Sequence, residues 1–209
     1  MKSAVVIGAL LICLLSGVTN AAAPQEPQAQ QRPPMPSGPP TITSVLDTQL
    51  RIVEFEFVGA ADAMPEDKYS FAPTNGEFKG VRTFAQQVKH VATVNDRFFG
   101  AILGQAPTTR GSQFEAENGP DSIQTKAQIM QYLRDSFALG HKAIATINAD
   151  NAFTPMAKTP TPFLKSYAAV AIFACVHAFD HYGQMVEYLR DNEIVPPSSR
   201  NRPPANPAK

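Results

Sequence analysis

The chain alternates between long segments with helical hydrophobic spacing and shorter segments rich in turn residues. In four segments the apolar residues recur at intervals of three and four, which places them on one face of a helix. We find no stretch with the sustained two-residue alternation of a strand. The apolar stripes of the first three segments are Leu46, Leu50, Val53, Phe57, Ala60 and Met64; Phe84, Val88, Val91, Phe98 and Ile102; and Ile129, Leu133, Phe137, Gly140, Ile144 and Ile147.

Hydroxyl residues mark the expected starts of these helices, because a Ser or Thr side chain can accept a free N–H of the first turn. Thr43 or Ser44 is expected to cap the first helix, and the second and third are expected to begin at about Thr83 and Thr125. The fourth is expected to run from about residue 165 to residue 190. Four such helices predict an all-α fold, a four-helix bundle with long loops, which can build metal sites between its helices.

Both ends of the chain differ in composition from the helical part. Residues 1–23 have the pattern of a signal peptide, with Lys2 before an apolar run and small residues after it. Residues 24–40 are expected to be a disordered Pro/Gln-rich spacer, and residues 196–209 a flexible Pro-rich tail. The bundle is therefore expected over residues 41–195. An uncleaved anchor is the alternative, although the run is shorter than the ~20 residues of a membrane-spanning helix.

Charge and cysteine content narrow the function classes. The 18 basic and 18 acidic residues balance, and no basic cluster is present, so a nucleic-acid partner is not expected. Cleavage would remove Cys13 and leave Cys175 alone, without an internal disulfide. No other long apolar run occurs, so no stable membrane anchor is expected after cleavage. The expected location is periplasmic or secreted.

The candidate chemistry lies in the fourth helix. Residues 166–179 include no charged residue, and a helix that is apolar on all sides is expected to be buried. His177 and His181 are four residues apart and project from one face. An unpartnered buried polar group costs roughly 1–3 kcal/mol. A divalent cation bound by both imidazoles is therefore favoured, and hydrogen bonds from each imidazole to a core carbonyl are the alternative.

A third ligand would have to come from another helix. His90 and His141 are both near the edge of their apolar stripes, so periodicity does not choose between them. Glu54 and Glu56 flank the first stripe and are expected to be solvated. Inward-facing carboxylate pairs are absent, which argues against a ferritin-like di-iron site.

The sequence from Gln87 to Ala92, together with the later run His177-Ala-Phe-Asp-His-Tyr-Gly-Gln184, resembles the DinB-like superfamily of four-helix-bundle metalloproteins. The resemblance extends from about residue 46 to residue 195. It implies a metal triad of His90, His177 and His181, and no ligand role for His141. Tyr182 is a departure, because many members have Arg before the Gly-Gln pair, and this puts an anion-binding role at that position in doubt.

Three His ligands leave coordination positions open, as in catalytic rather than structural sites. The resemblance implies a metal-dependent hydrolase, or a transferase or isomerase that uses a low-molecular-weight thiol. Gln184 follows on the same face and is expected to orient water at the metal, which is Zn, Ni or Fe. The expected partner is a small-molecule substrate, with a homodimer left open. The alternative is a non-catalytic, metal-stabilised binding or stress-response bundle.

The signal peptide predicts that the native protein begins near Ala22. Mass spectrometry of the intact protein, purified from the cells that produce it, checks this. A charged residue in the apolar run, as in Leu11→Arg, is expected to block cleavage, because this run must be apolar to be recognised. A native protein that still begins at Met1 would contradict the prediction.

Overall fold

The structure, a computed structural model, describes residues 37–106 and 117–200. The expected signal peptide, residues 24–36 of the spacer and residues 201–209 of the tail lie outside these ranges. The described residues form four α-helices and no β-strand, apart from one isolated bridge between Pro155 and Ser166. The helices are α1 (Ile42–Ala63), α2 (Phe84–Ile102), α3 (Lys126–Ile144) and α4 (Tyr167–Asp191).

Each helix begins at a hydroxyl side chain that accepts a backbone N–H of the first turn. The expected caps Thr83 and Thr125 are confirmed. The expected cap of α1 is wrong, because Thr41 takes this position. Ser44 is the third residue of α1, and its hydroxyl accepts the backbone N–H of Thr41 at 2.8 Å. The two side chains thus form a reciprocal capping box, which starts the helix earlier than expected.

The four helices form a closed ring in which α1 packs against α4, α4 against α2, α2 against α3, and α3 against α1. All stripe residues expected on α1, α2 and α3 are buried in the centre of this ring. Among them Phe57, Phe98 and Phe137 are fully buried. Burial of one such side chain contributes about 1.5–3 kcal/mol. The predicted four-helix bundle is therefore confirmed.

Gly140 explains how closely three of these helices approach one another. A Cβ at this position would lie 2.8 Å from a ring carbon of Phe99 on α2 and 2.9 Å from a methyl carbon of Leu50 on α1. Both side chains are fully buried. The α3 stripe needs a glycine here because any side chain would displace part of the core.

The expectation that α4 is buried on all sides is wrong. Ile172 is 51% exposed and Val176 is 59% exposed, so the charge-free part of the helix has an open outer face. The reason is the ring arrangement, because α4 packs mainly against its two neighbours α1 and α2 and leaves one face uncovered. Within the described ranges, no helix is long and apolar enough to cross a membrane.

The first residues of the predicted tail pack onto the bundle. Pro197–Ser199 form a short 3-10 turn that contacts α1. The hydroxyl of Tyr182 donates to a carboxylate oxygen of Glu56 at 3.0 Å and lies 2.6 Å from the hydroxyl of Ser198. Tyr182 therefore joins α4 to α1 and to this turn, and Glu56 is not simply solvated as expected.

His141 joins α3 to α1 through two carboxylates. Its Nδ1 lies 2.6 Å from Asp47 and its Nε2 2.9 Å from Glu54, which is also not simply solvated as expected. The hydrogen bond to Glu54, aided by that to Asp47, raises the pKa of His141 despite burial. Burial alone would raise the pKa of Asp47, but hydrogen bonds from His141 and Arg51 outweigh it and lower that pKa. The protonated imidazole therefore donates a hydrogen bond to each of the two carboxylates.

His141→Ala is expected to lower the free energy of unfolding by about 1–2 kcal/mol at pH 6, because hydrogen bonds to charged groups contribute a few kcal/mol at most and solvent partly screens these. Because the pKa of His141 is raised on folding, its stabilising effect is complete below the unfolded-state pKa of ~6.5. The effect is lost as the pH rises through the pKa of His141 in the folded protein. Urea unfolding at several pH values between 6 and 9 checks this, with the neighbouring exposed Lys142→Ala as control. A loss that does not shrink with rising pH would refute the assignment.

Candidate metal centre

Three histidines from two neighbouring helices face one another. His177 and His181 lie one turn apart on α4, with ring centroids 4.6 Å apart. His90 on α2 completes the group, with its centroid 5.0 Å from that of His177 and 4.8 Å from that of His181. One nitrogen of each ring lies within 4.8 Å of the others. His141 is not part of this group, since it lies between α1 and α3.

The tautomer of His90 follows from its hydrogen-bond partner. Its Nδ1 contacts the backbone carbonyl oxygen of Glu117. A carbonyl only accepts, so Nδ1 carries the proton. The lone pair of His90 is therefore on Nε2, the nitrogen that faces His177 at 3.0 Å.

The orientation of His181 is set by a chain of side chains that begins at a carboxylate. Asp180 accepts from Nε2 of Gln184 at 3.0 Å, and Oε1 of Gln184 accepts from Nε2 of Gln87 at 2.8 Å. Oε1 of Gln87 then lies 2.6 Å from Nδ1 of His181. Because each amide uses its nitrogen as donor, Nδ1 of His181 must carry the proton. Its lone pair is left on Nε2.

His177 has the least satisfied ring. Its Nε2 faces His90, and its buried Nδ1 has no hydrogen-bond partner among the described residues. The ring of Phe173 stacks against it, with centroids 6.2 Å apart and an angle of 22° between the planes. Packing against Phe173, together with the contact between its Nε2 and His90, therefore holds this imidazole.

The surroundings favour neutral imidazoles. Burial, reinforced by the other two histidines, lowers the pKa of His177 to about 3. Burial and the nearby His90 lower the pKa of His181 to about 4. Burial also lowers the pKa of His90, against the opposing effect of its hydrogen bond to Glu117. Neutral imidazole is the form that binds a metal ion, so no proton needs to be displaced near pH 7.

The donor set fits a divalent cation. Around a tetrahedral ion with Zn–N bonds of ~2.0–2.1 Å, two nitrogens would lie roughly 3.3 Å apart, near the 3.0 Å between Nε2 of His90 and Nε2 of His177. Nδ1 of His90 bonds to the Glu117 carbonyl and Nδ1 of His181 to the Gln87 amide. Metal-binding histidines usually have such a partner on the nitrogen that does not face the ion. Among the described residues, this group of converging ligand atoms includes no carboxylate or thiol. The arrangement can thus leave coordination positions open.

Gln87 and Glu117 are the functional residues that reasoning from residue patterns missed. Gln87 is 1% exposed and lies one turn before His90 on α2, and a buried amide so close to a candidate ligand is the signal that could have found it. Glu117 contributes a backbone carbonyl, which leaves no trace in residue type. Gln184 lies in the chain that orients His181, and its expected role toward water stays a prediction.

The segment that presents the Glu117 carbonyl is held by residues at and just before the start of α2. Arg82, just before α2, donates to Asn118 Oδ1 at 2.8 Å and to Glu117 Oε2 at 3.1 Å. Lys89 Nζ donates to the carbonyl oxygen of Pro120 at 3.0 Å. These contacts hold the carbonyl against Nδ1 of His90.

Gly119 allows this loop to lie against α2. Its φ is +79°, and a Cβ there would lie 2.9 Å from Cβ of Lys89 and 3.0 Å from the hydroxyl of Thr93. A side chain at this position is thus opposed by backbone strain and by contact with the helix. The glycine brings the loop close enough to serve His90.

Gly119→Ala is expected to weaken divalent-metal binding by roughly 10–100-fold, the usual loss when an outer partner of a ligand is displaced. Calorimetric titration with Zn²⁺ or Ni²⁺ measures it. Gly80→Ala is the matched control, since Gly80 has a φ of +80° with no atom within 4 Å of a Cβ. Equal affinities for the two variants would show that backbone strain alone, and not the loop position, affects the site.

Comparison with known proteins agrees with this architecture. The family model of the DinB superfamily matches residues 49–185. A crystal structure of a conserved protein from Enterococcus faecalis is similar in fold, with a TM-score of 0.56 and 15% identity, covering 73% of this chain and 97% of that one. No match was found among curated proteins. The extent of the family match, together with the four-helix fold, shows that this chain belongs to the DinB superfamily.

Proposed function

We propose that this protein is an exported metal-dependent enzyme, a hydrolase or group-transfer catalyst, in which His90, His177 and His181 hold a divalent ion. One observation carries the proposal: three imidazole nitrogens of two helices lie within 4.8 Å of one another. Export rests on the signal-like pattern of residues 1–23.

The side chains around the site indicate which part of the chemistry the ion would supply and which part the protein supplies. A bound divalent ion lowers the pKa of water toward 7 and polarises a carbonyl or thiol. The three histidines supply neutral nitrogen donors. The chain from Asp180 through Gln184 and Gln87 holds one of these donors in its tautomer. A divalent ion held by these three histidines alone would keep coordination positions open, which favours a reaction over a purely structural role.

His90→Ala, His177→Ala and His181→Ala are each expected to reduce metal affinity by more than the roughly 10–100-fold that an outer-partner substitution costs. Metal analysis and calorimetric titration of protein purified without a His-tag measure this. His141→Ala is the control, because this histidine is bound to two carboxylates of α1 and should leave metal binding unchanged. If His90→Ala still binds the metal at full affinity, His90 is not the third ligand.

Catalysis is tested separately from binding. The metal-loaded protein is offered ester, amide and thiol-transfer substrates, and turnover is compared with that of the metal-stripped protein. Turnover that depends on the ion and is lost in the triad variants supports an enzyme. Tight metal binding with a raised melting temperature, but no turnover above the stripped protein, would instead favour the non-catalytic bundle.

A further inference from the structure

A row of aromatic side chains leads from the histidine cluster to the surface. Phe173 stacks on His177, and Phe98 and Phe163 pack edge-on against Phe173 with centroids 5.2 and 5.9 Å away. Phe98 is buried, whereas Phe163 is 67% exposed. The row therefore connects the candidate metal centre to solvent through aromatic contacts.

The surface beside this row is also apolar. Val176, the residue before His177, and Ile172, one turn earlier, are both more than half exposed. Val176 follows Phe173 by three residues on α4, so it lies beside the ring that Phe163 contacts. We call Phe163, Ile172 and Val176 the aryl patch. No charged residue occurs between residues 166 and 179. Burial does not explain this composition, because the outer face of α4 is open.

A cationic side chain borders the row. The guanidinium of Arg97 lies 5.0 Å from the ring centroid of Phe98. Arg97 follows His90 by seven residues, which places it two turns further along the same face of α2, roughly 10 Å away. Among the described residues, no carboxylate forms an ion pair with Arg97. An exposed guanidinium over an aromatic ring can still bind an anion.

We propose that the aryl patch and Arg97 form a subsite for a small organic anion with an aromatic or bulky apolar group, next to the three-histidine centre. The apolar group would cover Phe163 and Val176, and the carboxylate would pair with Arg97. This deepens the proposed function, since it names the substrate class. It requires only that the subsite binds such molecules, whether or not the ion is present.

The probe is 3-phenylpropionate, titrated by NMR or calorimetry into the full mature chain in metal-loaded and metal-stripped forms. Binding is expected to be stronger than that of 3-phenyl-1-propanol, which lacks the charge, and of propionate, which lacks the ring. It should weaken as NaCl is added, because the pairing with Arg97 is exposed to solvent. Equal affinity for the acid and the alcohol, or for phenylpropionate and propionate, would overturn the proposal.

Two variants with matched controls locate the binding. Phe163→Ala is expected to raise the Kd roughly 3–10-fold, as for loss of an aromatic contact, and Phe153→Ala, which removes a ring that is 76% exposed, should not. Arg97→Gln is expected to raise the Kd roughly 2–5-fold, as for an exposed ion pair. Arg190→Gln, at the far end of α4, is its control. Effects equal to those of the controls would refute the site.

Two further outcomes separate this inference from its alternatives. Metal-stripped protein that still binds the probe through Phe163 would support the subsite even if the proposed metal chemistry failed. A chain that sediments as a dimer, is dispersed by Val176→Ser and does not bind the probe would show that the patch is covered by a second copy, and the proposal would be wrong.

Discussion

The packing of α2 against α4 depends on how three imidazoles, one buried and two half-buried, are satisfied. Each ring has two nitrogens, and a buried nitrogen without a partner is unfavourable. On His90 and His181 the outer nitrogen is bound by protein, through the Glu117 carbonyl and the Gln87 amide. The inner nitrogens face one another between the helices. A shared cation is the simplest partner for all three, and neutral rings are ready to bind it.

The support of the cluster extends well beyond the ligands. The Gln87 amide links His181 to Gln184 and then to an exposed carboxylate, so a surface charge fixes the direction of both amides. The loop around Gly119 fastens the carbonyl that orients His90. Such contacts matter because the ligand nitrogens must already point toward the site before an ion binds.

The opposite side of the bundle uses its histidine differently. His141 is placed between Asp47 and Glu54, where two carboxylates favour the protonated ring and raise its pKa. In the triad, burial outweighs the nearby charges and lowers the pKa of each imidazole. The same side chain thus serves as a charged tether between α1 and α3 and as a set of neutral donors between α2 and α4. The difference lies in the two carboxylates beside His141 and in the burial of the triad.

The sequence by itself determined the helices, two of their four caps and the pairing of His177 with His181, because these depend on spacing within one helix. Periodicity did not choose between His90 and His141, since that choice depends on which helices are neighbours, and the resemblance to a known family was needed. Only the tertiary structure decided that α4 has an open face, that Gln87 orients His181 and that a backbone carbonyl holds His90. These features come from contacts between residues distant in the chain, which local spacing does not encode.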